Sequence, residues 1–283
     1  MIIRHNIPGL NATRNKGISQ GKMIKNLEKL SSGYRINRAG DDAAGLALSE
    51  GMRSQIRGLD QAMKNCNDGV GLTQTGEGAL TEVHSMLQRM KTLAIQSSNG
   101  TYSTIARESL DAERIRLLDE IDRIGETSNF NDIPLFDSEE IPQGAPIPVV
   151  SQDNEVVLQV GCSAQEILDM DRYHMGSQQL HLDDTDFATQ EGANKSVKLI
   201  DDAIEAVSDI RAEFGAAQNR LGHAFNNLSV MNENMNAAES QIRDTNYAEE
   251  FTDYTKNNIV LQSSNSMAAQ ANTTVQTVLS LLQ

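Results

Sequence analysis

The side chains that could do chemistry are five histidines, two cysteines and a scatter of adjacent carboxylates. A zinc hydrolase helix would need two histidines four residues apart, as in H-E-x-x-H, so that both reach one metal ion. None of His5, His84, His174, His181 or His223 sits in such a motif. His174 and His181 are seven apart, in a stretch that reads as loop. Cys66 and Cys162 are too few and too distant for a disulfide framework. Cys66 falls on an apolar stripe, where a thiol behaves as a small buried hydrophobe. Asp41-Asp42 and Asp183-Asp184 are paired carboxylates, but both lie in expected linkers, so solvated charge is their expected role. No G-x-G-x-x-G or Walker A sequence occurs. The expectation is therefore no enzyme: no catalytic residue, no metal site and no cofactor.

The totals narrow the partners. The 283 residues carry a net charge of −15. A nucleic-acid binder needs basic surface to neutralise phosphates, and an anionic membrane surface would repel this chain. No apolar run is long enough to span a bilayer, so neither nucleic acid nor membrane insertion is expected. The opening MIIRHNIPGLNATRNKG lacks the apolar stretch of a secretory signal, so an extracellular role would require another export route. Aromatic residues make up only 4 % and tryptophan is absent. Small and amide side chains are plentiful instead, which suits closely packed helices.

Long helices dominate the pattern. Between residues 200 and 238 a seam runs through Ile200, Ala203, Val207, Ile210, Phe214, Ala217, Leu221, Ala224, Leu228, Met231, Met235 and Ala238. Steps of three and four keep one stripe on one face. The rod would be about 58 Å long, and a rod with one narrow stripe needs other long helices beside it. A second seam uses Met52, Ile56, Leu59, Met63, Cys66 and Val70. It breaks at Thr73 and Glu77 and resumes with Leu80, Val83, Leu87, Met90 and Ala94, as if the helix changed the face it buries. Shorter helices are expected over about 11–34 and 105–126. Four of the five prolines fall between Pro134 and Pro148, which excludes helix there. Residues 154–160 and 164–170 read as a hairpin around Gly161.

The C-terminal end is unusual. No charged residue follows Lys256, and 15 of the last 27 residues are Asn, Gln, Ser or Thr. A solvated tail would carry charge; a membrane helix would not carry so many polar groups. A helix enclosed by other protein fits both facts. Its heptad positions include Tyr247, Phe251, Tyr254, Leu261, Val275, Leu279 and Leu282, with asparagine at 258, 265 and 272. Near the other end, Met23, Leu27 and Leu30 repeat at four and three. These ten apolar positions form the expected assembly seam, and the chain reads as one built to polymerise.

Several blocks carry a family resemblance. LEKLSSGYRINRAGDDAAGLALSEGMRSQIRGLDQA (27–62) and TGEGALTEVHSMLQRMKTLAIQSSNGTYS (75–103) lie in the first half. GAAQNRLGHAFNNL (215–228), ENMNAAESQIRDTNYAEE (233–250) and MAAQANTTVQTVLSLLQ (267–283) lie in the second. In this order they resemble the bacterial flagellins, subunits of the flagellar filament, and the likeness spans nearly everything outside 132–186. Asn131-Asp132 departs from it, standing where many flagellins have Asn-Gly.

The resemblance implies a mainly α fold in which long, coiled-coil-like helices form an elongated bundle with a small β-hairpin insertion. It divides the chain into 1–44 and 239–283 for an inner domain lining the filament core. The outer domain takes helices 45–131 and 187–238 and the insertion 132–186, without the variable domains many members add. It implies secretion to the extracellular filament, a homopolymer, an export chaperone on about 240–283, and filament cap and junction proteins as partners. It also implies recognition by Toll-like receptor 5 through Arg89, Leu93 and Glu113. The alternatives are a hook–filament junction protein, whose terminal helices are similar, and a non-polymerising secreted receptor ligand.

Overall fold

The computed structural model describes residues 6–137 and 155–280. In chain order its elements are helix α1 (Ile7–Ser32), α2 (Ala43–Ser98) and α3 (Thr104–Thr127), strands β1 (Asn129–Phe130), β2 (Ile133–Pro134), β3 (Phe136–Asp137), β4 (Val156–Gln159), β5 (Ile167–Met170) and β6 (Tyr173–His174), and helices α4 (Gln190–Arg243) and α5 (Tyr247–Ser280). The protein is mainly α, as its periodicity requires.

Each helix begins where a short polar side chain can take an otherwise unpaired backbone N–H. Asn6 Oδ1 accepts from Gly9 N at 3.0 Å to start α1, and Pro8 stands in its first turn, where no N–H is missed. Asp42 Oδ1 accepts from Gly45 N to start α2, Ser103 Oγ from Ala106 N to start α3, Thr189 Oγ1 from Gly192 N to start α4, and Asn246 Oδ1 from Ala248 N to start α5. Gly33 ends α1 at φ 78°, a left-handed position that favours glycine, and its N–H returns to Lys29 O. The expected solvated role of Asp41-Asp42 is corrected here. Asp41 Oδ2 accepts from the backbone of Asn37 and Arg38, and Asp42 caps α2. The pair shapes the connection rather than merely charging it.

The chain divides into two compact units. One comprises 1–56 and 233–283, and is built chiefly from α1 packed along α5. The other comprises 57–232 and holds the main hydrophobic core, in which α2, α3 and α4 contribute Leu80, Leu87, Ile121, Ile200, Val207 and Ile210. Along α4 the expected seam is buried from Ile200 to Leu228, except that Ala217 and Ala224 are only partly covered.

The break in the α2 seam has a packing cause. A β-carbon on Gly69 would come 3.1 Å from Leu221 Cδ1, and one on Gly76 would come 2.5 Å from Phe214 Cε1. Two glycines seven residues apart on α2 thus receive two large side chains seven apart on α4. Thr73, between them, is also buried. The helix does not change face there. The same stripe stays inside, lined by small residues where α4 supplies the bulk, as interdigitation at native packing density requires.

The hairpin around Gly161 pairs β4 with β5 from Val156↔Met170 to Gln159↔Ile167. Leu168 and Met170 face the core while Ile167 and Asp169 face out, the period-two pattern of a half-buried strand. Two shorter pairings flank it: β1 with β2 antiparallel, and β3 with β6 parallel. Asn131 and Asp132 turn between β1 and β2 with φ of 52° and 63°. Those are the two positive angles of a type I′ turn, usually Asn-Gly.

Candidate assembly and recognition surfaces

In the α1·α5 pair, the half-buried residues of α5 are Glu250, Tyr254, Asn257, Asn258, Leu261, Ser264, Ala268 and Ala271. Opposite them on α1, Ser19 and Asn26 are buried, with Met23 and Leu30 partly covered. This inner line is small or polar at most positions. Asn26, with its amide oriented to satisfy both neighbours, donates to Lys22 O at 2.7 Å and accepts from Tyr254 N at 3.1 Å. Asn6 Nδ2 reaches Ala271 O and Asn272 Oδ1, and Lys29 pairs with Glu250 at 3.4 Å.

The large apolar side chains lie elsewhere. Ile7, Leu10, Ile18, Ile24 and Leu27 on α1 are exposed, as are Tyr247, Phe251, Ile259, Val260 and Met267 on α5. Burying each would remove about half of the roughly 1.5–3 kcal/mol that a fully exposed side chain gains, and so many together mark an interaction surface. Of the expected assembly seam, Leu27, Tyr247 and Phe251 are more than half exposed, while Met23, Leu30, Tyr254 and Leu261 are shared with the inner line. Val275 and Leu279 lie on α5, with side chains outside the described set, and Leu282 lies outside the described residues.

At one end of the pair, the α1–α2 and α4–α5 connections are clasped together. Arg35 N donates to Arg243 O at 2.7 Å and Thr245 N to Gly33 O at 3.0 Å, and Tyr34 forms a bridge with Asp244. The Arg243 guanidinium stacks on the Tyr34 ring at 4.7 Å. It pairs with Glu50 at 2.7 Å and lies 4.0 Å from Glu239, its side chain only 12 % exposed. The Arg243 hydrogen bond holds the Glu50 carboxyl below the usual carboxylate range.

In the other unit, α2 and α3 bring two of the expected receptor residues together. Arg89 Nε donates to Glu113 Oε1 at 2.8 Å, and the ion pair is about half exposed. Lys91, two residues on and turned to another face of α2, pairs with Asp201 on α4. Leu93 differs: it is fully buried and belongs to the core. Four residues along a helix is slightly more than one turn. The extra rotation carries Leu93 from Arg89's face toward the Met90–Ala94 stripe. Leu93 therefore offers no exposed surface for the direct contact expected of it.

Other groups that invited chemistry have plain surroundings. Cys66 is buried, with its thiol pushed up by burial, while Cys162 is exposed at the hairpin turn. His84 shares a 2.8 Å hydrogen bond with Gln88. Among the described residues no cluster of His, Cys, Asp or Glu could hold a metal ion, and no helix is long and apolar enough to cross a membrane.

A terminal helix pair with apolar outer faces and, in the other unit, a core of long helices define an α-protein of long rods, and comparison with known proteins names the class. Residues 3–140 match the bacterial flagellin N-terminal helical region, and residues 197–282 the bacterial flagellin C-terminal helical region. The chain is 47 % identical to a flagellin of Halalkalibacterium halodurans and 43 % identical to one of Bacillus subtilis, in each case over the whole of both chains. It is 42 % identical, again over both full lengths, to a flagellar filament core protein of Treponema maltophilum. Among solved structures, Bacillus cereus flagellin aligns with a TM-score of 0.50 at 30 % identity, covering 62 % of this chain and 94 % of that one. A flagellar hook-associated protein of Vibrio parahaemolyticus shares the fold, with a TM-score of 0.58 at 15 % identity, covering 72 % of this chain and all of that one. The chain belongs to the bacterial flagellin family.

Proposed function

We propose that this protein is a structural subunit that polymerises with itself into the extracellular flagellar filament that drives motility. The observation that carries the reading is the inverted α1·α5 pair: small and polar side chains inside, Leu27, Tyr247, Phe251 and Ile259 outside. Such a pair is under-filled as a lone unit, and copies of the same chain supply the missing cover. On this reading 1–44 and 239–283 line the filament core, and the helices of 45–131 and 187–238 with the 132–186 insertion surround them. The same apolar face calls for a holder before assembly, which an export chaperone on about 240–283 would be. Cap and junction proteins complete the filament ends. Full-length identity to flagellins weighs against a hook–filament junction protein, since the hook-associated neighbour shares the fold alone.

Electron microscopy of purified protein after seeded polymerisation tests the proposal. Long filaments are expected from the full chain and none from a chain lacking 240–283. Short, capped aggregates from the full chain would favour the junction protein instead.

A second surface accompanies the first. The half-exposed Arg89–Glu113 pair supports recognition by Toll-like receptor 5. Arg89→Glu should abolish receptor binding while filaments still form. Unchanged binding by that variant would remove the assignment.

A further inference from the structure

The inner line of the α1·α5 pair sets its own register through few contacts. The covered line of α5 carries Asn257, Ser264 and Ala271 at heptad spacing, with Ala268 between them, and α1 offers Ser19 and Asn26 seven residues apart. A seam of mostly small and amide side chains at heptad spacing offers little bulk to resist sliding by seven residues, about 10 Å. Packing along that seam therefore discriminates poorly between registers. Yet one register is observed throughout: Asn6 at Asn272, Asn26 at Tyr254 and Lys29 at Glu250.

Beside the Lys29–Glu250 pair, the feature without a repeat is the clasp at the end of the pair. Arg243 is the last residue of α4, and three different segments converge on it. Tyr34, from the α1–α2 connection, lies under its guanidinium; Glu50 Oε1, from α2, accepts from its Nη1; Glu239 lies one turn back on α4. Its own carbonyl accepts from Arg35 N, and Arg35 reaches over to Ile242 O at 2.5 Å. A planar cation can stack and pair at once, so one side chain ties the exit of α1 to the entry of α5. We infer that Arg243 is the positioning residue that selects the α1·α5 register. It does so by locking the two interhelical connections to each other before the repetitive seam closes. This register claim stands on the chain alone; its consequence for assembly rests on the filament reading. A slip by one heptad would misalign the outward Leu27 and Phe251 that neighbouring copies must meet.

Engineered cysteine pairs read the register directly. Continuing the observed pairing brings Ala12 level with Ala268, both half-buried on the seam. Ala12→Cys with Ala268→Cys reports the native register, and Ala12→Cys with Leu261→Cys the register shifted by one heptad. Both pairs are made in the full chain carrying Cys162→Ala, and oxidation is followed by gel mobility. A disulfide needs Cα atoms within about 7 Å, so the native pair should close at least about tenfold faster. Adding Arg243→Met should lower that ratio at least about fivefold, with helicity by circular dichroism retained. An unchanged ratio overturns the inference. If Arg243→Met closes neither pair, Tyr34→Leu decides: a fall in the ratio supports the clasp, and no change overturns it. A merely structural Arg243 would slow both pairs alike and leave their ratio unmoved, which also overturns it. A fall in the ratio with normal filaments supports the register claim and overturns its link to assembly.

Discussion

Replacing Gly76 by alanine tests whether α2 and α4 interlock as described. The new β-carbon would sit 2.5 Å from Phe214 Cε1 and 3.2 Å from its Cδ1 and Cζ. Ordinary carbon contact begins near 3.5 Å, so the ring must retreat by about 1 Å. It has little room: Phe214 is buried and packs at 6.4 Å against Phe136. Overpacking of this kind costs about 1–3 kcal/mol. Against it stands a gain of about 1 kcal/mol, because alanine is the better helix former. Gly78 supplies the control. It lies in the same helix two residues on, exposed, with nothing within 4 Å of an added β-carbon. Gly78→Ala collects the propensity gain without the clash, so the difference between the two variants isolates the steric cost, about 1–3 kcal/mol. Amide exchange across 57–98 in the full-length monomer measures the local stability. Gly76→Ala should loosen that stretch relative to Gly78→Ala, and adding Phe214→Leu should restore much of the loss. Equal protection in Gly76→Ala and Gly78→Ala would refute the interlock.

Further outcomes follow from other positions. Asp132→Gly should stabilise the β1–β2 turn by roughly 0.5–1 kcal/mol in urea unfolding, because glycine adopts φ near 63° without strain. Burial, together with Asp171, pushes the Glu213 carboxyl up. A folded-state carboxyl above its unfolded value binds its proton more tightly when folded, so stability falls as pH rises from the usual carboxylate range through that raised value. Glu213→Gln should flatten that slope in urea midpoints taken across the range. Glu50 behaves oppositely. Its folded value is depressed by Arg243, so its contribution is present above the usual carboxylate range and lost as pH falls through the folded value. NMR titration should place Glu50 nearer an ordinary carboxylate in Arg243→Met. Trypsin should cut the monomer early at Arg14, Lys16 and Lys256, all exposed on α1 and α5, and the polymerised protein more slowly, with time courses on gels as the check.

Periodicity made the helices legible before any coordinates. The 200–238 seam lies within α4, and the 52–94 seam within α2. The hairpin was legible as well, from alternation on either side of Gly161. The inner face of α5 was only half legible. Heptad counting chose Tyr247 and Phe251, whereas the covered line runs through Glu250, Asn257, Ser264 and Ala271. Counting registers large apolar residues, and this helix turns its small ones inward.

By itself, then, the order of residues determined where helices start and stop, because caps, glycines and apolar spacing act within a few positions of one another. It also determined that this chain is a flagellin, since long matching blocks in order leave little to chance. Tertiary structure decided which side of each helix faces inward. A glycine such as Gly76 is a gap in the apolar stripe until Phe214 arrives from a helix more than a hundred residues away. It also decided that Leu93 is core while Arg89 and Glu113 meet at the surface, and that Tyr34, Glu50 and Arg243 form one clasp. Those pairings join positions remote in the chain, and only packing in three dimensions selects among the partners that local pattern allows.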